Sequence, residues 1–324
     1  MQYLVTGAAG FIGFHTCRTL LDRGEVVVGL DVVNDYYDPA LKEARLNILA
    51  AYPAFTFHRS DVGLPSEMEK LGQQYPGITR IIHLAAQAGV RHSLTHPYEY
   101  IHSNVDGQMV MLEFARRLKR CDHFVYASSS SVYGSNKKLP FSVDDRVDSP
   151  LSLYAATKRA GELMAHCYSH LYKIPSTGLR FFTAYGPWGR PDMAAFLFVK
   201  AILGGEPIKV FNNGDMRRNF TFIDDIVGGV LAVADKPPTV PGPVARIYNI
   251  GNDRSEPLTR YISVIEQCLG RKASMIFEPL QAGDVKETYA DIEPLRNDFG
   301  YNPRTTIDQG IPKFVDWYRS YYGV

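Results

Sequence analysis

The stretch Gly7-Ala-Ala-Gly10-Phe-Ile-Gly13 decides the fold, because it follows a short apolar run at 3–6 and opens an amphipathic segment at 11–22. Gly7 permits a tight turn, Gly10 lets a pyrophosphate approach backbone N–H groups, and Gly13 permits close packing of a helix on a strand. The start of the helix then faces the phosphates. This arrangement predicts a dinucleotide-binding βαβ unit.

Asp31 closes the next apolar run, 18 residues after Gly13. A carboxylate at this position accepts hydrogen bonds from an adenosine ribose and repels a 2′-phosphate, so the sequence favours NAD over NADP. Small or polar residues after the third and fourth runs complete the groove. The predicted cofactor-binding residues are Gly7, Gly10, Phe11, Ile12, Gly13, Asp31, Asp61, Val62, Leu84, Ala85, Ala86, Tyr154 and Lys158.

Short β-branched runs alternate with helical patterns through the first half of the chain. The runs lie at 3–6, 26–30, 55–58, 81–84 and 123–127, and the helical patterns at 11–22, 97–118 and 152–172. This alternation predicts an α/β fold with a Rossmann-type doubly wound parallel sheet. Prolines break the pattern after about residue 180, which predicts a smaller mixed α/β C-terminal substrate domain. We expect residues 1–180, with a return segment at about 221–250, to form the first domain, and 181–220 with 251–324 the second.

Composition excludes several classes of protein. The 324 residues carry 35 basic and 34 acidic side chains, a net charge of +1, so we expect no nucleic-acid partner. The longest nearly apolar stretch, 226–234, is far shorter than a membrane span. The four cysteines are widely spaced and lack a CxxC pair, which predicts free thiols in a reducing, cytoplasmic compartment. We assign no metal ligands.

Tyr154-Ala-Ala-Thr-Lys158 places a phenol and an ammonium group on one face of a helix. A free phenol titrates too high for a base at neutral pH, but a nearby lysine and NAD⁺ both favour the phenolate. Tyr154 is then able to take a hydroxyl proton while a hydride leaves for the nicotinamide. The serine run 128–131, which follows the fifth strand, offers a hydroxyl for the same substrate oxygen.

These three motifs, in this order, resemble the extended short-chain dehydrogenase/reductase family, in the branch that modifies nucleotide sugars. The resemblance extends from residue 1 to about 320. It implies that Tyr154 is the base, that Lys158 holds the nicotinamide ribose and that Ser129 is the hydroxyl partner. Ser131 and Ser130 line the same loop, and the assignment within 128–131 stays open. The resemblance also implies a homodimer, formed through helices near 104–119 and 154–172.

The serine loop also separates the reactions of this family. Its dehydratases carry an Asp-Glu pair and its decarboxylases a Glu where this chain has Ser130 and Ser131. No carboxylate is offered there for elimination. An epimerase needs only to let a 4-keto sugar turn and to return hydride to its other face, using the same bound NAD. The loop therefore favours C4 epimerisation.

The second half resembles the family's UDP-sugar site. By that resemblance Arg218 binds the diphosphate, Phe211 packs near the uracil and Asp284 bonds the uridine ribose. The run 183–194, with 34–39 and 87–93, resembles epimerases acting on UDP-glucuronate, whereas galactose epimerases carry Asn where Thr183 stands. This implies interconversion of UDP-glucuronate and UDP-galacturonate. The proposed neighbours of the sugar carboxylate are Thr183, Ser130, Arg190 and Arg91.

Two alternatives stay open. One is a UDP-glucuronate decarboxylase or a neutral UDP-hexose 4-epimerase of the same fold. The other is an NAD-binding sensor without catalysis, which is disfavoured because Tyr154, Lys158 and Ser129 are all present.

Overall fold

The computed structural model describes residues 1–238, 245–281 and 283–324, so part of the expected return segment lies outside the described residues. The strands are β1 (Gln2–Thr6), β2 (Val26–Asp31), β3 (Phe55–Arg59), β4 (Arg80–His83), β5 (His123–Ser129), β6 (Ser176–Phe181), β7 (Thr183–Tyr185), β8 (Ile208–Phe211), β9 (Arg217–Arg218), β10 (Phe220–Phe222), β11 (Ala245–Ile250), β12 (Glu256–Pro257) and β13 (Met275–Glu278). The α-helices are α1 (Phe11–Asp22), α2 (Pro39–Ala50), α3 (Pro65–Gln74), α4 (Pro97–Tyr100), α5 (Gly107–Arg117), α6 (Leu153–Tyr172), α7 (Ala194–Gly204), α8 (Ile223–Asp235), α9 (Leu258–Leu269), α10 (Glu293–Phe299) and α11 (Ile307–Tyr322).

Seven strands form one parallel sheet in the order β11-β6-β5-β4-β1-β2-β3. The chain starts at the centre with β1 and winds first towards β3 and then back towards β11. This order confirms the expected Rossmann-type doubly wound sheet. The remaining strands form the two-stranded pairs β10–β7, β12–β9 and β13–β8.

Both faces of the sheet are covered, which explains the nearly continuous apolar runs of its strands. Successive side chains of β1 point in opposite directions, so that Leu4 joins one buried cluster while Tyr3 and Val5 join the other. Helix α1 buries Phe14 and Cys17 in the same cluster as Tyr3 and Val5, and it packs there against α8. Burial of each such large apolar side chain contributes roughly 1.5–3 kcal/mol.

The single helix expected over 97–118 is interrupted. Between α4 and α5 the backbone forms a π-helical segment, Ile101–Asp106. The wider turn directs Asn104 inward, where its side chain bonds the backbone of Gln87 and the hydroxyl of Thr157. Such local π-turns are frequent at functional sites. The prediction of one unbroken helix was wrong here, because the apolar spacing of the flanking turns continues through the insertion.

Helices α2 and α3 were not predicted from the sequence. Helix α2 nevertheless carries a start signal, since the Asp38 carboxylate accepts the Ala40 N–H (2.9 Å) and Pro39 opens the first turn. Strand β11 lies beside β6 at the edge of the sheet. None of the helices in the described ranges has the length and apolarity needed to cross a membrane. The division into two domains stays a prediction.

Candidate active site

A cavity of about 520 Å³ opens where the central strands of the sheet end at their carboxyl termini. This is the expected ligand position in an open α/β sheet. Every predicted cofactor-binding residue lines it. So do Ser129, Ser130 and Ser131, and four predicted substrate residues, Thr183, Arg190, Arg218 and Asp284. The remaining two, Arg91 and Phe211, do not.

The glycine turn has no room for side chains. Gly7 has a φ of +73°, and a Cβ there would lie 2.8 Å from the Ala85 nitrogen. A Cβ on Gly13 would lie 1.9 Å from the Gly7 carbonyl oxygen. Gly10 precedes α1 and has no side chain with which to cap it, so the first N–H groups of the helix remain available to a bound phosphate. The turn fits a pyrophosphate.

Asp31 is held in place at the end of β2. Its carboxylate accepts the N–H groups of Ala9 (3.1 Å) and Val33 (2.8 Å). Burial raises the pKa of Asp31, while these hydrogen bonds and the charges of Lys42 and Arg45 act in the opposite direction. The carboxylate lines the cavity beside the glycine turn. It therefore fits an adenosine ribose, as NAD requires.

Tyr154 and Lys158 lie in the first turns of α6, which Ser152 caps by accepting the Ala155 N–H (3.1 Å). The Lys158 ammonium donates to the Ala127 carbonyl (3.0 Å) and lies 6.0 Å from the centroid of the Tyr154 ring. Burial lowers the pKa of Lys158 to about 8. The lysine is therefore anchored to β5, at the edge of the cavity.

Burial raises the pKa of Tyr154, and two neighbours oppose that rise. A hydrogen bond with Ser129 lowers the pKa, and so does the positive charge of Arg190. From the sequence, this effect was expected from Lys158 and NAD⁺, and Arg190 was expected only beside the sugar carboxylate, because it comes from a loop 36 residues after Tyr154. A hydroxyl and a cation thus both favour the ionised phenol.

The serines of the loop have different contacts. Ser128 donates to Glu162 (2.6 Å) and faces the interior. Ser129 accepts the N–H of Ser131, and the two hydroxyl oxygens lie within hydrogen-bonding distance, both contacts at 3.2 Å. Because Ser129 also lowers the pKa of Tyr154, it is favoured as the hydroxyl partner among the residues that the sequence left open.

Glu162 anchors α6 to the sheet. Arg180 in β6 donates to both of its carboxylate oxygens, at 2.8 and 3.0 Å, and Arg159 adds a contact at 2.9 Å. Burial opposes the charge of Glu162, but these hydrogen bonds and charges hold its pKa below the ordinary value. Glu162 was not predicted from the sequence, although it lies one helical turn after Lys158 on the same face.

Arg190 is oriented by Asp192, with Nε and Oδ1 at 3.0 Å. The Tyr36 hydroxyl also donates to Asp192 (3.1 Å). Tyr36, Arg190 and Thr183 line the same cavity as Tyr154. A cation and a hydroxyl are therefore available in this cavity to an anionic group of a ligand.

Arg91 is not at this end of the cavity, contrary to the expectation. Its guanidinium lies 4.4 Å from the centroid of the Phe211 ring and donates to Asp284 (2.9 Å). The aromatic face and the carboxylate both attract it away from the sugar end. Arg218 lines the cavity close by and donates to the Lys286 carbonyl (3.0 Å). The expected uridine-binding residues thus lie together, with Arg91 among them.

Arg45 in α2 was also missed. Its side chain is fully buried and donates to the Ala9 carbonyl (2.7 Å), the Tyr37 hydroxyl (2.7 Å) and the Trp188 carbonyl (2.6 Å). It therefore connects the glycine turn to the loop that carries Arg190. A lone arginine within a helical pattern gives no sequence signal for such a role.

The model of the NAD dependent epimerase/dehydratase family matches residues 3–251. The chain belongs to this family. UDP-glucuronate 4-epimerase 1 of Arabidopsis thaliana is 46% identical over 335 residues, which are 100% of this chain and 78% of the relative. A probable UDP-glucuronate 4-epimerase of Rhizobium meliloti is 43% identical, covering 99% of this chain and 98% of the relative.

Solved structures of the family share the fold along the whole chain. UDP-glucuronic acid 4-epimerase from Bacillus cereus, in complex with UDP-glucuronic acid and NAD, is 35% identical with a TM-score of 0.92. It covers 99% of this chain and 100% of its own. MoeE5 in complex with UDP-glucuronic acid and NAD is 30% identical with a TM-score of 0.85, covering 99% of this chain and 100% of its own.

Proposed function

We propose that this chain interconverts UDP-glucuronate and UDP-galacturonate by C4 epimerisation with bound NAD. The observation that carries the proposal is one cavity lined by the glycine turn, by Tyr154, Lys158 and Ser129, and by Thr183 and Arg190. Relatives of 43–46% identity named as UDP-glucuronate 4-epimerases support the same substrate.

The residues of the groove fit NAD, which when bound supplies a hydride acceptor and donor and, as NAD⁺, a positive charge. Gly7, Gly10 and Gly13 would admit its pyrophosphate, Asp31 its adenosine ribose and Lys158 its nicotinamide ribose. Because Lys158 is already fixed by the Ala127 carbonyl, little side-chain freedom is lost when it binds a hydroxyl.

Tyr154 acts as the base in the proposed mechanism. It takes the proton of the sugar O4 hydroxyl while the C4 hydrogen leaves as hydride, and Ser129 hydrogen-bonds the same oxygen. The product of this step is a 4-keto sugar. After the sugar turns, hydride returns to the opposite face of C4 and Tyr154 gives the proton back to O4. No atom is gained or lost over the cycle.

A 4-keto uronate is a β-keto acid and is prone to lose CO₂. The site must therefore hold the carboxylate so that the breaking bond is poorly aligned with the carbonyl π-system. We propose that Thr183, Ser130 and Arg190 do this. Ser130 and Ser131 also offer no carboxyl group that would donate a proton to C5, which favours epimerisation over decarboxylation.

Replacement of the base tests this proposal. Tyr154→Phe should lower kcat for conversion of UDP-glucuronate by about 10²–10⁴-fold, since general base catalysis is lost. Tyr168→Phe is the matched control, because Tyr168 lies in the same helix and bonds Glu113 away from the cavity. Product formation would be followed by chromatography. Unchanged turnover in Tyr154→Phe would disprove the assignment.

We also propose a homodimer and a cytoplasmic location. Helices α5 and α6 pack together and leave Met109, Leu163 and Leu171 exposed, which supports association of two copies through these helices. Light scattering would show a dimer as twice the 36.3 kDa of one chain. The four free cysteines support a reducing compartment.

A further inference from the structure

A buried side-chain amide lines the cavity with an unused hydrogen-bond donor. Gln87 follows β4, is buried and lies among the residues that line the cavity. Its Nε2 atom has no hydrogen-bond partner among the residues that the structure describes. Burial raises the pKa of Tyr100 and Gln87 opposes that rise, but an amide nitrogen carries two N–H groups, so at least one is left over. A buried donor without a partner in a ligand cavity indicates a ligand atom that accepts from it.

The orientation of the Gln87 amide follows from its contacts. The buried Lys42 ammonium can only donate, and it bonds the backbone carbonyl of Asn34 (2.8 Å) and the side-chain oxygen Oδ1 of the same residue (2.5 Å). The nitrogen of the Asn34 amide then donates to Oε1 of Gln87 (3.2 Å). Because Oε1 is the acceptor in this contact, Nε2 is the atom that faces no partner.

This series of contacts crosses the glycine turn. Strand β1 lies between β2 and β4 in the sheet, and Asn34 follows β2 whereas Gln87 follows β4. Their hydrogen bond thus joins the two loops that flank the turn 7–13 at the end of β1. The loop after β4 approaches this turn closely, since a Cβ on Gly7 would lie 2.8 Å from the Ala85 nitrogen. A dinucleotide with its pyrophosphate at the turn would therefore lie between the two joined loops.

Both loops are fixed at these residues. The Asn104 side chain bonds the N–H and the carbonyl of Gln87, at 2.8 and 3.0 Å. On the other side, Val33 has a φ of +53°, which is unfavourable for a β-branched residue, and its N–H donates to Asp31 (2.8 Å). Strained backbone of this kind persists where surrounding contacts hold it, and it occurs in ligand clamps. Asn34 and Gln87 are thus positioned before a ligand binds.

We propose that Lys42, Asn34 and Gln87 form a clasp across the glycine turn, and that Gln87 donates an N–H group to an oxygen of the bound dinucleotide. The acceptor is an oxygen of the pyrophosphate or of the adjoining nicotinamide ribose. This role rests on the proposed epimerisation with bound NAD. The clasp moves no proton in that reaction, but it lengthens the time for which the cofactor stays bound. A long residence time suits a cycle in which the same cofactor returns the hydride.

Exchange of bound NAD for isotopically labelled NAD, followed by mass spectrometry on NAD-loaded protein without a sugar nucleotide, tests the clasp. Gln87→Leu and Asn34→Ala should each raise the rate of exchange at least about tenfold, because a hydrogen bond to the cofactor or between the loops is lost. The double variant should show less than the product of the two effects, since both residues act through one contact. Gln73→Leu, on an exposed position of α3, is the matched control and should exchange as the wild type does.

Gln87→Glu separates donation to the cofactor from support of the loop. It keeps an acceptor oxygen for Asn34 but replaces the unused N–H group by a carboxylate oxygen, so NAD should exchange at least as fast as in Gln87→Leu. Exchange at the wild-type rate in Gln87→Glu would overturn donation to the cofactor. The same rate in both Gln87→Leu and Asn34→Ala would overturn the clasp. Neither result decides the proposed epimerisation, which is judged by the product formed from UDP-glucuronate.

Discussion

Ser129 and Ser131 both line the cavity, but their contacts differ. Ser129 lowers the pKa of the Tyr154 phenol, whereas Ser131 contacts Ser129 through its N–H and hydroxyl. The order of the motifs predicted that one serine of this run assists Tyr154, but not which one. Which serine faces the cavity depends on the backbone direction at the end of β5, because that direction points Ser128 inward, where it bonds Glu162.

The two serines should therefore differ on mutation. Ser129→Ala should lower kcat by at least tenfold, because the phenol loses a hydrogen bond that favours its ionised form. Ser131→Ala, the matched control, should lower kcat less. The pH at which activity reaches half its maximum should rise in Ser129→Ala alone. Equal effects of the two replacements on kcat and on the pH profile would contradict the assignment.

At the scale of elements, α2 connects two parts of the site. Its Arg45 joins the glycine turn to the loop that carries Arg190 without a carboxylate in hydrogen-bonding contact. The sequence predicted both loops separately but not the connection, since burial of one arginine follows from tertiary packing. The π-helical segment that positions Asn104 was not predicted either, since it also follows from tertiary packing.

Replacement of Arg45 should therefore weaken the binding of both NAD and UDP-glucuronate. Arg45→Met should lower the NAD retained per purified chain and raise KM for UDP-glucuronate about tenfold or more, while kcat changes less. Binding is weakened because the carbonyls of Ala9 and Trp188 lose their hydrogen-bond donor, and the two loops are no longer held in fixed positions relative to each other. Glu43→Gln, on an exposed position of the same helix, is the control. A folded Arg45→Met protein with unchanged NAD content and KM would refute this role.

At the scale of the whole molecule, three buried histidines make stability depend on pH. Burial lowers the pKa of His15 to about 3, of His83 to about 3 and of His123 to about 4. In the unfolded chain each would titrate near 6.5. Between these values the unfolded state binds more protons than the folded state, so stability present above pH 6.5 is lost as pH falls.

The free energy of unfolding should thus fall from pH 7 to pH 5 by roughly 2 kcal/mol for each of these histidines. His123 bonds the Thr177 hydroxyl (2.8 Å), and His123→Gln keeps a polar group there. Urea unfolding at both pH values should show a smaller pH-dependent loss in this variant. His166→Gln, on the exposed side of α6, should show the wild-type loss. Identical losses in the two variants would argue against this linkage.

Strands β1 to β5 were predicted from their short apolar runs, whereas β6 was not. The glycine turn, Asp31, Tyr154 and Lys158 were predictable because strand ends and helix turns place them by local geometry. Arg190, Arg91 and Glu162 depend on contacts between distant segments, which no local pattern records. Their positions therefore needed the tertiary structure.

The central claim is epimerisation at C4 through a 4-keto sugar that stays on the enzyme. It is tested most directly by incubating the purified chain, without added NAD, with UDP-glucuronate deuterated at C4. The account predicts UDP-galacturonate with deuterium retained at C4, because the hydride returns to the same sugar. Loss of deuterium from C4, a UDP-pentose as the main product, or no conversion would contradict it.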